Sequence, residues 1–367
     1  MIAVLALLLL AKTQKGPAPA APRSFAQISK QADQTREQEH LEDAIRLYRA
    51  GVRLRPDWAE GWWYLGTIFY DEDRYAEGQT ALRRFTALDS KVAQAWALLG
   101  LCEFETKAYD EALAHLKRAR TMGLGGRAQL DTVTQYHAAL LLTRSEQYEE
   151  ALQILLGFAV RGEETAAVVE AAGIAALRRP LLPNDVPGSD RELVLQVGHA
   201  VMDTGARRPR DAAEKFESLL AVYPKTPNLH YLYGSFLLLS DPDAGLRELN
   251  KELEISPRSA PALLQIALEY LKRGDAAAAI PYAQRGADVE PRSFVAHNAL
   301  GRALVDSGDL ENGIRELERS KELAPGSPQT RVALASAYAK AGRHEDAARE
   351  RAEFLKLKKL GDKPSDQ

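Results

Sequence analysis

The chain has 367 residues, 46% hydrophobic, 27% charged and 7% aromatic, with a formal net charge of -3. That slightly acidic balance argues against a nucleic acid or an anionic lipid surface as partner, since proteins of those classes usually carry a strong basic excess. One cysteine, Cys102, excludes an internal disulfide framework and any cysteine-based zinc site, and its apolar surroundings mark it as a buried, unreactive thiol.

From the N-terminus, Ile2 to Ala11 is an unbroken apolar run followed by a proline- and alanine-rich stretch. The run is too short to span a bilayer as a helix. It resembles the apolar region of a secretory signal, with Ala18 and Ala20 as a small-x-small cleavage site, although no Lys or Arg precedes it and Pro19 and Pro22 crowd the cut. On export the segment 1–24 is either removed or kept as an anchor, with any membrane contact confined to it; the alternative is a cytoplasmic leader. Export predicts a periplasmic or secreted protein; without a functioning signal the protein is cytoplasmic. No cysteine follows the run, which removes lipid attachment there.

Beyond residue 25 the chain repeats itself every 34 residues. Trp62, Leu65 and Gly66 recur as Trp96, Leu99 and Gly100; Gly274, Gly308 and Gly342 keep the same step, as do Pro257, Pro291 and Pro325. Between these landmarks lie pairs of apolar patterns with helical spacing, separated by Gly- or Asp-containing turns, so each period predicts a helical hairpin. In the first hairpin Ala44, Tyr48 and Pro56 keep the second helix, while a polar first helix suits a terminal cap. The glycines Gly123 to Gly126 lengthen one connection and read as a helix stop, since neither a strand nor a Lys-Ser/Thr pair accompanies them. A larger break, Arg178 to Asp190, is rich in proline and acts either as a rigid substitute for a helix or as a hinge. The blocks expected are 25–178 and 191–361, joined by 179–190, with a polar tail at 362–367.

These columns resemble the tetratricopeptide repeat, with its W-x2-L-G-x2-Y first helix, A-x3-F second helix and closing proline. The resemblance rests on Trp62, Leu65, Gly66, Phe69, Gly78 and Leu82 and on their later counterparts. It implies an all-α fold, a right-handed α-α superhelix or solenoid of helical hairpins, because no hairpin buries its apolar face alone. In that frame Trp62 packs between hairpins, whereas Trp63 lines a concave groove together with Glu60, Tyr70, Asp71, Phe104, Glu105, Tyr136 and Tyr231. Aromatic side chains at such positions anchor peptides at low entropic cost. Asn298 and Arg302 lie near the concave side of the second block with Leu264, Leu268, Lys272 and Asp306, but no repeated Lys and Asn set forms a carboxylate clamp.

Signatures of chemistry are missing. The histidines His40, His115, His137, His199, His230, His297 and His344 are scattered without ligand spacing, and Asp241 and Asp243 read as a hairpin turn rather than a calcium loop. The expectation is a scaffold with no catalytic residues, no cofactor, no metal and no small-molecule substrate, whose partner is a protein or peptide held in the groove. The alternative is an adaptor that docks into an envelope or secretion assembly through its convex face or the proline-rich break.

Overall fold

A computed structural model describes residues 24–361; the apolar run, its candidate cut and the tail 362–367 lie outside them. Among the described residues there are nineteen α-helices, one short 3-10 turn and no strand. The chain divides into two compact units, residues up to His137 and residues from Ala138.

In the first unit, α1 (Phe25–Glu37) pairs with α2 (Leu41–Leu54), α3 (Ala59–Asp71) with α4 (Tyr75–Leu88), and α5 (Ala93–Glu105) with α6 (Tyr109–Met122). Ser24 and Gln27 cap α1 reciprocally, side chain to backbone in both directions. Small residues set the spacing within a hairpin: a Cβ on Gly66 would lie 2.6 Å from Leu82 Cγ, so any larger residue would push the helices apart. Two apolar clusters fill the seams, one around Tyr48, Leu65 and Phe69 and the next around Leu82, Trp96, Leu99 and Cys102. Burial, with the negative charges of Glu103 and Glu105, pushes the Cys102 thiol up to about 12, so it stays protonated and inert.

Helix α7 (Ala128–Arg144) carries the division between the units, and α8 (Tyr148–Arg161) follows it. Next comes α9 (Ala166–Ala176), the odd helix of the nineteen, then α10 (Arg191–Gly205) with α11 (Pro209–Val222), α12 (Leu229–Leu237) with α13 (Pro242–Ile255), and α14 (Ala260–Lys272) with α15 (Ala276–Val289). The last pairs are α16 (Phe294–Ser307) with α17 (Leu310–Leu323) and α18 (Pro328–Lys340) with α19 (His344–Gly361).

The proline-rich segment, read in the sequence as the joint between blocks, lies inside the second unit. Helices α9 and α10 meet directly across it: a Cβ on Gly173 would fall 1.9 Å from the carbonyl oxygen of Val194, and one on Gly198 2.1 Å from that of Val169. The connection itself is packed, because Leu182 and Val186 are buried and the guanidinium of Arg179 bonds Asp190 at 2.6 Å across the loop.

One structural column runs through both units. The carbonyl that closes a hairpin accepts a hydrogen bond from a side chain six residues later, in the next helix: Trp62 Nε1 to Pro56, Trp96 Nε1 to Ser90, His230 Nε2 to Pro224, His297 Nε2 to Pro291 and Arg331 Nη2 to Pro325, all between 2.9 and 3.1 Å. Where that position is Leu263, Arg285 of α15 reaches the carbonyl of Pro257 instead, at 2.9 Å. Each such carbonyl lies two residues beyond the end of a helix, in the connecting loop, so the donor satisfies an acceptor that no helical bond reaches.

Candidate functional site

Helix α3 carries Glu60, Trp63, Tyr70 and Asp71, α5 carries Phe104 and Glu105, and α7 carries Tyr136. The three carboxylates are exposed and the four rings half-buried. Trp63 does not project freely into a groove. It packs on the cluster that holds Leu82, Ala97 and Trp96, with its ring centroid 5.2 Å from that of Phe85. Trp62, also half-buried, packs on the preceding cluster around Tyr48. Adjacent tryptophans thus fill successive seams, as neighbours about 100° apart on a helix can.

The remaining rings form an edge-to-face series. Tyr70 meets Tyr75 at 6.0 Å, Phe104 meets Tyr109 at 5.7 Å and His137 at 4.6 Å, and His137 meets Tyr136 at 5.3 Å. Because residues Ala95 to Glu103 of α5 are all buried, the floor between α3 and α7 is filled and only its rim is open. That rim is acidic. Burial first, then the neighbouring Cys102 and the carboxylates of Asp71, Glu105 and Asp73, push the Tyr70 phenol up, while burial and Glu72 raise the Asp71 carboxyl. Glu103, fully buried behind the rim, is bound by Arg83 at 2.9 Å and by His115 Nδ1 at 2.6 Å.

The first unit has a concavity of about 340 Å³ lined by Arg49, Trp62, Phe69 and Glu77, and Tyr231 belongs to α12 in the second unit, which holds several open concavities. One, about 340 Å³, is lined by Tyr231, Pro261, Leu264, Leu268 and Val295, with the ion-paired Arg178 and Glu149 at its edge. Another, about 510 Å³, is lined by Asn298, Arg302, Val305, Val332 and Ala333, with Phe354 of α19 closing one side. Val295 is 38% exposed and Val332 50% exposed, so apolar surface faces solvent within these concavities. The buried Asn298 donates its amide N–H to Thr330 Oγ1 at 3.3 Å, and Lys340 neutralises Asp306 at 2.8 Å. Arg302 is exposed and makes no hydrogen bond or ion pair among the described residues. Leu264, Asn298 and Val332 follow one another at 34-residue steps, so their column was available in the sequence. Phe354 comes from a second helix and has no such signal.

Among the described residues no group of three or more His, Cys, Asp and Glu side chains is placed to hold a metal ion, and no helix is long and apolar enough to cross a membrane.

Comparison with known sequences finds the tetratricopeptide repeat profile at residues 30–78, 65–125, 205–260 and 264–328. No curated protein matches the chain. Similar solved structures include MamA, residues 41 to the end, from Desulfovibrio magneticus RS-1, with 20% identity over 46% of this chain and 96% of that one and a TM-score of 0.43. The RS-1 MamA ArsTM double mutant has 20% identity over 46% of this chain and 95% of that one, TM-score 0.43. A further MamA crystal structure has 17% identity over 47% and 96%, TM-score 0.42.

Proposed function

The chain belongs to the tetratricopeptide-repeat family, whose profile spans more than half of it, and from that premise we propose that it holds a protein segment on the concave side of its second unit. Repeat arrays of this family are protein-interaction scaffolds and typically non-catalytic. The observation that carries the proposal is the exposure of Val295 and Val332 within two concavities whose surroundings are polar or buried. An apolar side chain left open inside a concavity is placed to receive an apolar side chain of a partner. Leu264, Leu268, Val295 and Val332 receive apolar side chains of the segment, and Arg302 offers an unengaged guanidinium to an oxygen of it. The stacked hairpins hold this surface ready, so mainly the ligand's ordering opposes binding. The acidic rim of the first unit, with Glu60, Asp71 and Glu105, is by itself a surface for cationic side chains.

The proposed setting is the bacterial cell envelope, supported by the apolar run Ile2 to Ala11 and the small residues Ala18 and Ala20. The net charge of -3 supports a protein partner over a nucleic acid.

A second reading, the adaptor, is favoured by the exposed Leu54, Leu88 and Met122, which end α2, α4 and α6 at 34-residue steps and form an apolar edge away from the groove columns. A photo-crosslinking side chain at Val332, and separately at Leu88, tests the two in the native host. Capture at Val332 that is lost on adding Leu264→Asp supports the groove. Capture at Leu88 alone overturns it in favour of the adaptor.

A further inference from the structure

Two of the hairpin-closing donors are histidines with acceptors on both ring nitrogens. His230 faces Glu248 through Nδ1 at 2.6 Å and the Pro224 carbonyl through Nε2 at 3.0 Å. His297 faces Glu316 through Nδ1 at 2.6 Å and the Pro291 carbonyl through Nε2 at 3.1 Å. An ionised carboxylate and a carbonyl only accept, so each ring makes both bonds only when both nitrogens carry protons. The neutral ring has one N–H and leaves one acceptor without a donor.

The next hairpin shows what the position requires. There Arg331 makes the same pair of bonds, Nη2 to the Pro325 carbonyl at 2.9 Å and Nη1 to Glu350 at 2.6 Å, with a group that does not titrate. One side chain thereby ties three elements together: the preceding loop, the first helix and the second helix of its own hairpin.

We propose that His230 and His297 are proton-operated latches in the second unit: doubly protonated, each fastens its hairpin to the loop before it, and neutral, each lets that loop go. The loop bond is the one released, because a hydrogen bond to a charged carboxylate is stronger than one to a neutral carbonyl. Lys251 of α13 holds the other oxygen of Glu248 at 2.7 Å, and although burial pushes Glu248 up, the bonds from Lys251 and His230 outweigh it and keep the group below the ordinary carboxylate range. Lys225, next to the Pro224 carbonyl, and Arg247, next to Glu248, are exposed to solvent, while two carboxylates of the neighbouring helices are engaged elsewhere. Buried Glu252 of α13 accepts from the backbone N–H of Asn228 at 2.8 Å and of Tyr231 at 3.3 Å, and Glu217 of α11 accepts from Tyr233 at 2.9 Å. Around His297, α17 presents Glu316 and the mutually paired Arg319 and Glu322, α15, packed on α16, carries Arg285, bonded to the Pro257 carbonyl, and Asp288, bonded by Gln284, and α18 presents the neutral Thr330, bonded to Asn298. Both rings are shielded, with side-chain exposures of 8% and 13%, so water replaces a lost partner poorly.

Hydrogen exchange on the full chain at about pH 5.5 and about pH 8, either side of histidine's ordinary range and corrected for intrinsic rates, tests this. Protection of α12 and α16 amides is expected to fall roughly tenfold at the higher pH, while α18, closed by Arg331, stays constant. In the double variant His230→Arg/His297→Arg the fall is expected to vanish. Equal protection of α12 and α16 at both pH values overturns the proposal, and so does a fall that persists in the arginine variant. If that variant does not fold, long-range 15N–1H spectra of the native rings decide: two protonated nitrogens on each ring at the lower pH support the latch, and one overturns it.

Discussion

The indole N–H of Trp62 donates to the carbonyl of Pro56 at 2.9 Å. Trp62 therefore does two things at once, closing the preceding loop and covering the cluster around Tyr48 and Leu65. Trp62→Phe keeps most of the ring and loses the donor, so it is expected to cost about 1 kcal/mol. Trp63→Ala removes a ring that packs on Phe85 and the cluster around Trp96, and is expected to cost roughly 3 kcal/mol. Urea denaturation measures both, and an unchanged midpoint for Trp63→Ala would contradict its role in the seam.

The turn between the helices of a hairpin needs one residue in the left-handed region. Gly274, Gly308 and Gly342 occupy it in the later repeats, but Asp73, Lys107 and Glu146 occupy it earlier, with φ of 56°, 63° and 62°. A side chain there costs roughly 1 to 2 kcal/mol, partly offset because glycine is freer in the unfolded chain. Lys107→Gly is thus expected to stabilise the protein by about 0.5 kcal/mol, and Gly308→Ala to destabilise it by about 1 kcal/mol. Thermal unfolding of the two variants should show shifts of opposite sign.

The hairpins are legible in the sequence because tryptophan, glycine and proline recur in fixed columns, and each column has a defined physical role. Which concave positions stay open is not legible. Ala97 and Leu101 sit on the same first helix as Phe104, yet both are buried, because α5 is covered on every side and Trp63 packs on its cluster. Arg83 is about half exposed, yet its guanidinium reaches the buried carboxylate of Glu103, a contact that helical spacing does not record. The proline-rich break reads as a boundary because prolines interrupt helical spacing, but Gly173 and Gly198 let α9 and α10 meet across it, a contact that periodicity does not record.

Glu350 is 4% exposed and is bound by Arg331 at 2.6 Å and Lys321 at 3.1 Å. Burial alone would raise it, but the two cations outweigh that and hold it below the ordinary carboxylate range. A carboxyl whose folded value lies below its unfolded one adds stability above the unfolded value, near ~4.3, and loses it as pH falls through the folded value. Glu350→Gln is expected to cost about 2 to 3 kcal/mol at neutral pH, since it leaves two cations without a counter-charge. The gap between variant and wild type should close as pH falls below ~4. A gap independent of pH in urea titrations would mean that packing, and not charge, is what Glu350 contributes.

Val332 separates binding from folding better than the aromatic residues do. Half of its surface is exposed, and it lines the concavity of about 510 Å³ beside Arg302 and Phe354. An aspartate there meets water in the free protein, so Val332→Asp is expected to change stability by no more than about 0.5 kcal/mol. In the complex the same carboxylate would be desolvated against an apolar side chain, which costs about 2 kcal/mol or more and weakens binding at least ~30-fold. Arg302→Ala, by contrast, removes a single charge from an open surface and is expected to slow association and flatten its salt dependence with a smaller loss of affinity. Titration of both variants with the segment recovered by crosslinking at Val332, alongside thermal unfolding, distinguishes the two effects. Full affinity in Val332→Asp would move the binding surface away from this concavity and toward the apolar edge formed by Leu54, Leu88 and Met122.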